Sequence, residues 1–198
     1  IVEKLKARSF FQDKESFILK NDKNLLGLLN HQTTSIEGFL YPATYRFYNT
    51  KPTAYKIFEK MIKEFYLKLP KNYQKQIEAH RLDLFEAVIF ASLIEKETFL
   101  SEERAYISEV VWNRLKANMP LGIDAAVIYG VKDWKGDLKT SHLRDRKNLY
   151  NLRIHRGLPP GPICSPSKAS LEAVLTPSRR GYYYYVLLPG TQKRHHFS

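Results

Sequence analysis

With 198 residues, 43% of them hydrophobic and 13% aromatic, the chain can bury a real core, as one domain or one domain plus a small appendage, and it is not a disordered segment. A net charge of +12 calls for an anionic partner, which nucleic acid, an acidic membrane surface or a carboxylate-bearing polymer would each satisfy. Nucleic acid is disfavoured, because there is no Cys/His finger spacing and no aromatic ribonucleoprotein strand. Cys164 stands alone and excludes an intrachain disulfide, and no hydrophobic run approaches the ~20 residues of a membrane span.

The chain starts at Ile1 rather than at Met, and it is expected to be a piece of a longer protein, with any leader or anchor outside it. Residues 1–30 read as short amphipathic helices with Val2, Leu5, Phe10, Phe11, Phe17, Ile18, Leu25 and Leu28 on the apolar positions. Residues 36–47 are dense in aromatics and broken by Gly38 and Pro42, which predicts an extended, turn-containing segment. There Tyr41 and Tyr45 suit either stacking on sugar rings or filling core. Thr53 to Leu69 sets Ile57, Phe58, Met61, Ile62 and Phe65 on one face, an amphipathic helix ended by Pro70. A polar linker with helical turns, 71–82, follows.

The chain is organised around Leu84–Thr98. From Leu84 to Ile94 only Glu86 and Ser92 are polar, and there is no Gly or Pro. The run is too long for a buried strand and predicts a helix enclosed on most sides, with Asp83 as N-cap. It ends in Glu95, Lys96, Glu97 and Thr98. Burial and the negative end of the helix dipole both raise the pKa of a carboxyl placed there, which is what a general acid near neutral pH needs. The competing role is simply to solvate the helix end. Two residues on a helix are about 200° apart, so Glu95 and Glu97 point to nearly opposite sides. One lines a groove while the other meets solvent or a cation such as Lys96 or Arg104, and spacing alone does not choose.

Ser101 caps a second helix reaching about Asn118, with Glu102 and Glu103 at its positive end. Residues 121–130 form a short Gly-bounded stretch, and 131–149 a charged, insertion-like loop. Gly157–Ile163 is a loop stiffened by prolines, and Ser165–Pro166 opens a last helix to about Leu175. Tyr182–Leu188 is a strand by composition, turning at Pro189–Gly190 into a hairpin partner that ends at Phe197. Of the six His, His195 and His196 are adjacent, read as solvent-facing or strand-borne; no metal-ligand spacing is present and no cofactor is called for. The fold class is α+β, mainly helical, with a small antiparallel sheet late in the chain.

Several of these pieces, in this order, resemble the endolytic murein transglycosylase family of bacteria (MltG, or YceG-like). The match is carried by Glu37–Tyr45, by Ala91-Ser-Leu-Ile-Glu-Lys-Glu-Thr98, by Val111–Leu115, by Asp124 through Tyr129–Gly130, by Tyr150–Asn151, by Gly157–Ile163 and by His195–Phe197. The resemblance implies a lysozyme-like catalytic domain over 36–198 that acts on peptidoglycan glycan strands outside the cytoplasmic membrane, with 1–35 a helical lead-in from a truncated N-terminal region. It also implies a single N-terminal membrane anchor and a small LysM-like subdomain outside this sequence, and cell-wall synthases as partners.

The family's catalytic Glu immediately precedes Thr, which maps to Glu97. The implied reaction breaks the β-1,4 bond between N-acetylmuramic acid and N-acetylglucosamine and leaves a 1,6-anhydro end. Expected substrate contacts are Glu37, Tyr41, Tyr45, Asn113, Asp124, Tyr150, Asn151 and Ser165. Tyr150 and Asn151 hold the N-acetyl group or developing charge, or else cap their loop. Asn113 reaches toward the segment of Glu97, or satisfies backbone. Gly157–Ile163 is expected as a cleft wall. The chain departs from the family pattern at Ala43, at Gly122–Ala126, at Leu152–Arg153 and at Ser165. Two rival readings remain: a two-carboxylate muramidase using Glu97 with Asp124 (Glu37 being the weaker second), whose carboxyls would stand about 5–5.5 Å or 6.5–9.5 Å apart, and a non-catalytic basic module that grips peptidoglycan.

Overall fold

The computed structural model describes residues 22–29, 33–48, 52–190 and 194–198. The helices expected before residue 22 lie outside these. The elements are α1 (Lys23–Leu26), α2 (Ala54–Lys68), α3 (Tyr73–Ala79), α4 (Leu84–Glu97), a 3₁₀ turn (Ser101–Glu103), α5 (Arg104–Lys116), α6 (Asp124–Tyr129), α7 (Thr140–Leu143), α8 (Lys168–Leu175), β1 (Tyr185–Leu187) and β2 (His195–Phe197). The strands pair antiparallel, Tyr185 opposite Phe197 and Leu187 opposite His195. The expected late hairpin forms, but with strands of three residues. Among the described residues no helix is long and apolar enough to cross a membrane.

Helix α4 is the axis. Asp83 caps it through a reciprocal pair, its carboxylate accepting from Glu86 N while Glu86 accepts from Asp83 N, an arrangement that stabilises a helix start by about 1 kcal/mol. Every side chain from Ala87 to Ile94 is buried, so the helix needs cover on all sides. Helix α8 supplies some through Leu171 and Val174, and α5 through Ile107 and Val111. Two long-range bonds lock these layers: Tyr73 OH donates to Leu171 O at 3.1 Å, and Trp112 Nε1 to Val174 O at 2.9 Å. Leu25 and Leu29 join the same core.

Residues 36–48 run without regular structure, as their Gly and Pro predict. Gly38 is required there: φ is +87°, and a Cβ would sit 2.5 Å from Pro162 Cγ and 2.7 Å from Val88 Cγ1. The proline loop is therefore clamped between this segment and α4, where Ile163 N also donates to Ser92 Oγ at 3.0 Å.

Four sequence expectations shift. The last helix starts at Lys168 with Ser167 as N-cap, so Pro166 precedes the cap instead of occupying the first helical position. The stretch expected as one helix from Ser101 divides into a 3₁₀ turn and α5. The Gly-bounded stretch before Gly130 contains α6, and the charged loop contains α7; six- and four-residue helices are too short to leave a periodic signature.

Candidate active site

The end of α4 separates its two carboxyls as helical geometry requires. Glu95 turns toward the N-terminus of α8, where Oε2 accepts from Ser167 N at 3.1 Å, Ser167 Oγ at 2.6 Å and Ser170 Oγ at 2.6 Å. Burial opposes its charge, but these bonds and the Arg104 cation outweigh burial and hold its pKa below the usual range. Glu95 is an anion that anchors a helix.

Glu97 turns the other way, into a cleft of about 320 Å³ lined by Arg114, Gly122, Asp124, Arg153, Tyr185 and His195, with Val186 and Leu187 along one edge. Oε2 accepts from Tyr185 OH at 2.7 Å. Burial raises the Glu97 pKa most; the Tyr185 bond and the His195 charge pull it down, Asp124 pushes it up, and the net direction is up. Burial and the nearby Glu97 keep the Tyr185 phenol well above its ordinary pKa, so it donates rather than ionises.

The same hairpin strand that carries His195 is pinned by a second acid. His195 N donates to Glu103 Oε1 and His195 Nδ1 meets Glu103 Oε2, both at 2.8 Å, while Thr98 Oγ1 donates to Oε2 at 2.9 Å. The approach to β1 is held by Glu109, which accepts from Arg180 N and Gly181 N at 2.6 Å and from Ser178 Oγ. On the opposite wall, Asp124 at the start of α6 accepts two bonds from Arg153, Nε to Oδ1 at 2.6 Å and Nη2 to Oδ2 at 2.9 Å. This fork leaves the carboxylate neutralised on both oxygens. Gly122 has φ +68° and brings backbone against Arg114, whose Nη1 a Cβ would meet at 3.0 Å.

Of the residues expected from sequence, the cleft brings together Glu97 and Asp124. Asn113 Nδ2 donates to Tyr182 O at 2.8 Å, fixing the entry to β1 instead of reaching Glu97's segment. Asn151 is fully buried, and its amide donates to the carbonyls of His142, Leu143 and Asp145, so it organises the loop around α7. Tyr150 packs on Tyr129 at 4.8 Å, with its hydroxyl against Gly161. Glu37 accepts from Tyr129 OH at 2.8 Å. Tyr41 and Tyr45 pack against the core, and Tyr45 OH donates to Tyr41 O at 2.7 Å, its pKa pushed up to about 12 chiefly by burial. Ser165 is half-buried and outside the cleft lining. The proline loop, expected as a cleft wall, is clamped against Gly38 and Ser92; its place is taken by Gly122, Arg153 and β1.

Tyr185, His195 and Arg153 are absent from the substrate contacts expected from sequence, although His195 belongs to the family match and Arg153 to a departure from it. His195 stood in view beside His196, but its strand position alone does not announce a cleft. Among the described residues no group of His, Cys, Asp or Glu is arranged to hold a metal ion.

The arrangement favours the protonated form of one carboxyl and opens it to a groove, so fold and site define a mainly helical domain with a small C-terminal hairpin and a cleft at the end of α4. The chain belongs to the YceG-like family, whose model matches residues 1–198. It is 32% identical over 151 residues to a Bacillus subtilis protein named endolytic murein transglycosylase, covering 76% of this chain and 41% of that protein. A Streptococcus pneumoniae protein of the same name is 30% identical over 158 residues, covering 76% of this chain and 28% of that one. The chain thus spans less than half the length of these relatives. A crystal structure of a yceG-like protein from Listeria monocytogenes superposes with a TM-score of 0.84 at 26% identity, covering 98% of this chain and 67% of that one.

Proposed function

We propose that the chain is the catalytic domain of an endolytic peptidoglycan lytic transglycosylase, with Glu97 as its general acid and base. The observation that carries this reading is the desolvated Glu97 carboxyl, tethered by Tyr185 and opening into the cleft. Protonated Glu97 gives its proton to the glycosidic oxygen between N-acetylmuramic acid and N-acetylglucosamine, and the bond from that oxygen to muramyl C1 breaks. The muramyl C6 hydroxyl then attacks C1 and passes its proton to the Glu97 carboxylate, which closes the 1,6-anhydro ring and restores the acid. No water is consumed and no enzymic nucleophile is needed.

The Asp124–Arg153 fork favours this over the two-carboxylate muramidase, because a carboxylate with both oxygens held by a guanidinium is a poor nucleophile or base. Arg114 and Arg153 bring cationic groups to the cleft, suited to the anionic lactyl and stem-peptide carboxylates of the substrate. The family resemblance adds the lysozyme-like description of the domain, a location on the outer face of the cytoplasmic membrane, a single N-terminal anchor and synthase partners, all as parts of the same proposal.

Mass analysis of the ends formed from purified peptidoglycan tests the reading. Anhydro ends support transglycosylation; reducing ends indicate the hydrolase, and no new ends indicate a binding module. Glu97→Gln is expected to fold and to abolish turnover, and full activity in that variant would overturn the assignment.

A further inference from the structure

The cleft contains an ionisable group that the single-acid scheme does not use. His195 lines it beside Glu97, and its Nδ1 is spent on Glu103 Oε2 at 2.8 Å. Glu103 is held as a carboxylate: burial works against its charge, but the bonds from His195 and Thr98 outweigh burial. A carboxylate can only accept, so Nδ1 carries the proton on that bond. The ring also stands edge-on to Tyr185 with centroids 5.3 Å apart, and that phenol donates to Glu97. Glu103, His195, Tyr185 and Glu97 therefore form one contiguous row.

We propose that His195 acts through Tyr185 on Glu97, its ring edge fixing the phenol that holds the Glu97 carboxyl, and that Glu103 is the positioning residue that holds the ring in place. This rests on the transglycosylase reading and deepens it. One proton of the scheme leaves Glu97 and returns to it; the Tyr185 bond that His195 keeps in place favours the intermediate carboxylate. The charged and titratable groups around the ring are Glu102 and Glu103 on the 3₁₀ turn, Arg194 and His196 on its own strand segment, Tyr185 on β1, Glu97 at the end of α4, Arg114 on α5, Asp124 on α6, and Arg153. Arg194 faces Glu102 at 3.4 Å on the rim, and Arg153 is committed to Asp124.

The test uses the full chain with His195→Gln, and Glu103→Gln as a second variant of unchanged shape. Soluble uncrosslinked glycan strands give kcat, KM and the pH profile; a ¹³C carboxyl titration, assigned against Glu97→Gln, reads Glu97 independently of turnover. Removing the ring is expected to loosen the Tyr185 bond, which favours the Glu97 carboxylate, and so to move the Glu97 midpoint up, and with it the limb on which activity falls as pH rises. The expected loss in kcat is ~10–100-fold with little change in KM, below the ~10²–10⁴ of a full acid–base catalyst. Glu103→Gln is expected to act in the same direction. An unmoved Glu97 midpoint in a folded His195→Gln protein overturns the inference. Loss of anhydro products by the wild type would instead sink the transglycosylase reading, and the titration separates the two failures.

Discussion

The Tyr185 hydroxyl donates to Glu97 Oε2 at 2.7 Å, joining two residues 88 positions apart in the chain. The bond fixes which carboxyl oxygen is occupied, and leaves Oε1 for the proton transfer proposed above. A phenol kept from ionising by burial suits this task, because it donates throughout the pH range in which the enzyme would work.

Tyr185→Phe removes that donor while keeping the ring. The hydrogen bond favours the charged form of Glu97, so its loss raises the Glu97 pKa further, and the high-pH limb of activity is expected to move up. Loss of orientation should lower kcat by roughly 10-fold, as one stabilising interaction of about 1.4 kcal/mol predicts. A pH–rate comparison of the two proteins checks both.

Glu97 should cost the folded state stability. Its folded pKa lies above the unfolded value of 4.5, so as pH rises from there the unfolded chain gives up its proton first. Stability is therefore lost progressively between 4.5 and the folded pKa, and the full cost persists above it. Glu97→Gln is expected to unfold at a higher temperature than wild type at pH 7–8, with the difference shrinking toward pH 4. Thermal melts across that range would show it.

Glu95 has the opposite sign. Its pKa is lowered, so its contribution is present above 4.5 and lost as pH falls through the folded value. Glu95→Ala leaves the Ser170 hydroxyl and the cap of α8 without their acceptor, a loss of roughly 1–3 kcal/mol. Urea unfolding at pH 7 should show the destabilisation, and the gap to wild type should narrow at low pH.

Asp124→Asn keeps one oxygen for Arg153 but drops the charge. If Asp124 only shapes the wall, the products of the variant remain anhydro ends at a reduced rate. A nucleophilic or basic role predicts that the variant is dead, and end-group mass analysis distinguishes them.

Gly38→Ala should be among the more damaging single-methyl changes in the chain. The new Cβ meets the ring of Pro162 and Val88 well inside contact distance, at a φ of +87°, so the proline loop or α4 has to move. Overpacking of this kind costs ~1–3 kcal/mol before backbone strain is added, readable as a lowered urea midpoint.

The sequence by itself determined α4, its cap at Asp83 and the divergence of Glu95 from Glu97, because these follow from residue spacing on a helix of 3.6 residues per turn. It also determined the late hairpin, through β-forming residues around a Pro–Gly turn, and the break at Gly38. The family motif pointed to Glu97, whereas periodicity left the two acids equivalent. Only the tertiary structure decided that Glu95 is consumed by Ser167 and Ser170, that Arg153 claims Asp124, and that Asn151 is buried among carbonyls. It alone brought Tyr185 and His195 to the end of α4. Apart from the Asn151 bonds, which span 6 to 9 residues, those contacts join segments from 29 to 92 residues apart, and local periodicity has no term for them: they arise when the buried faces of α4, α5 and α8 pack and carry their polar ends to the same place.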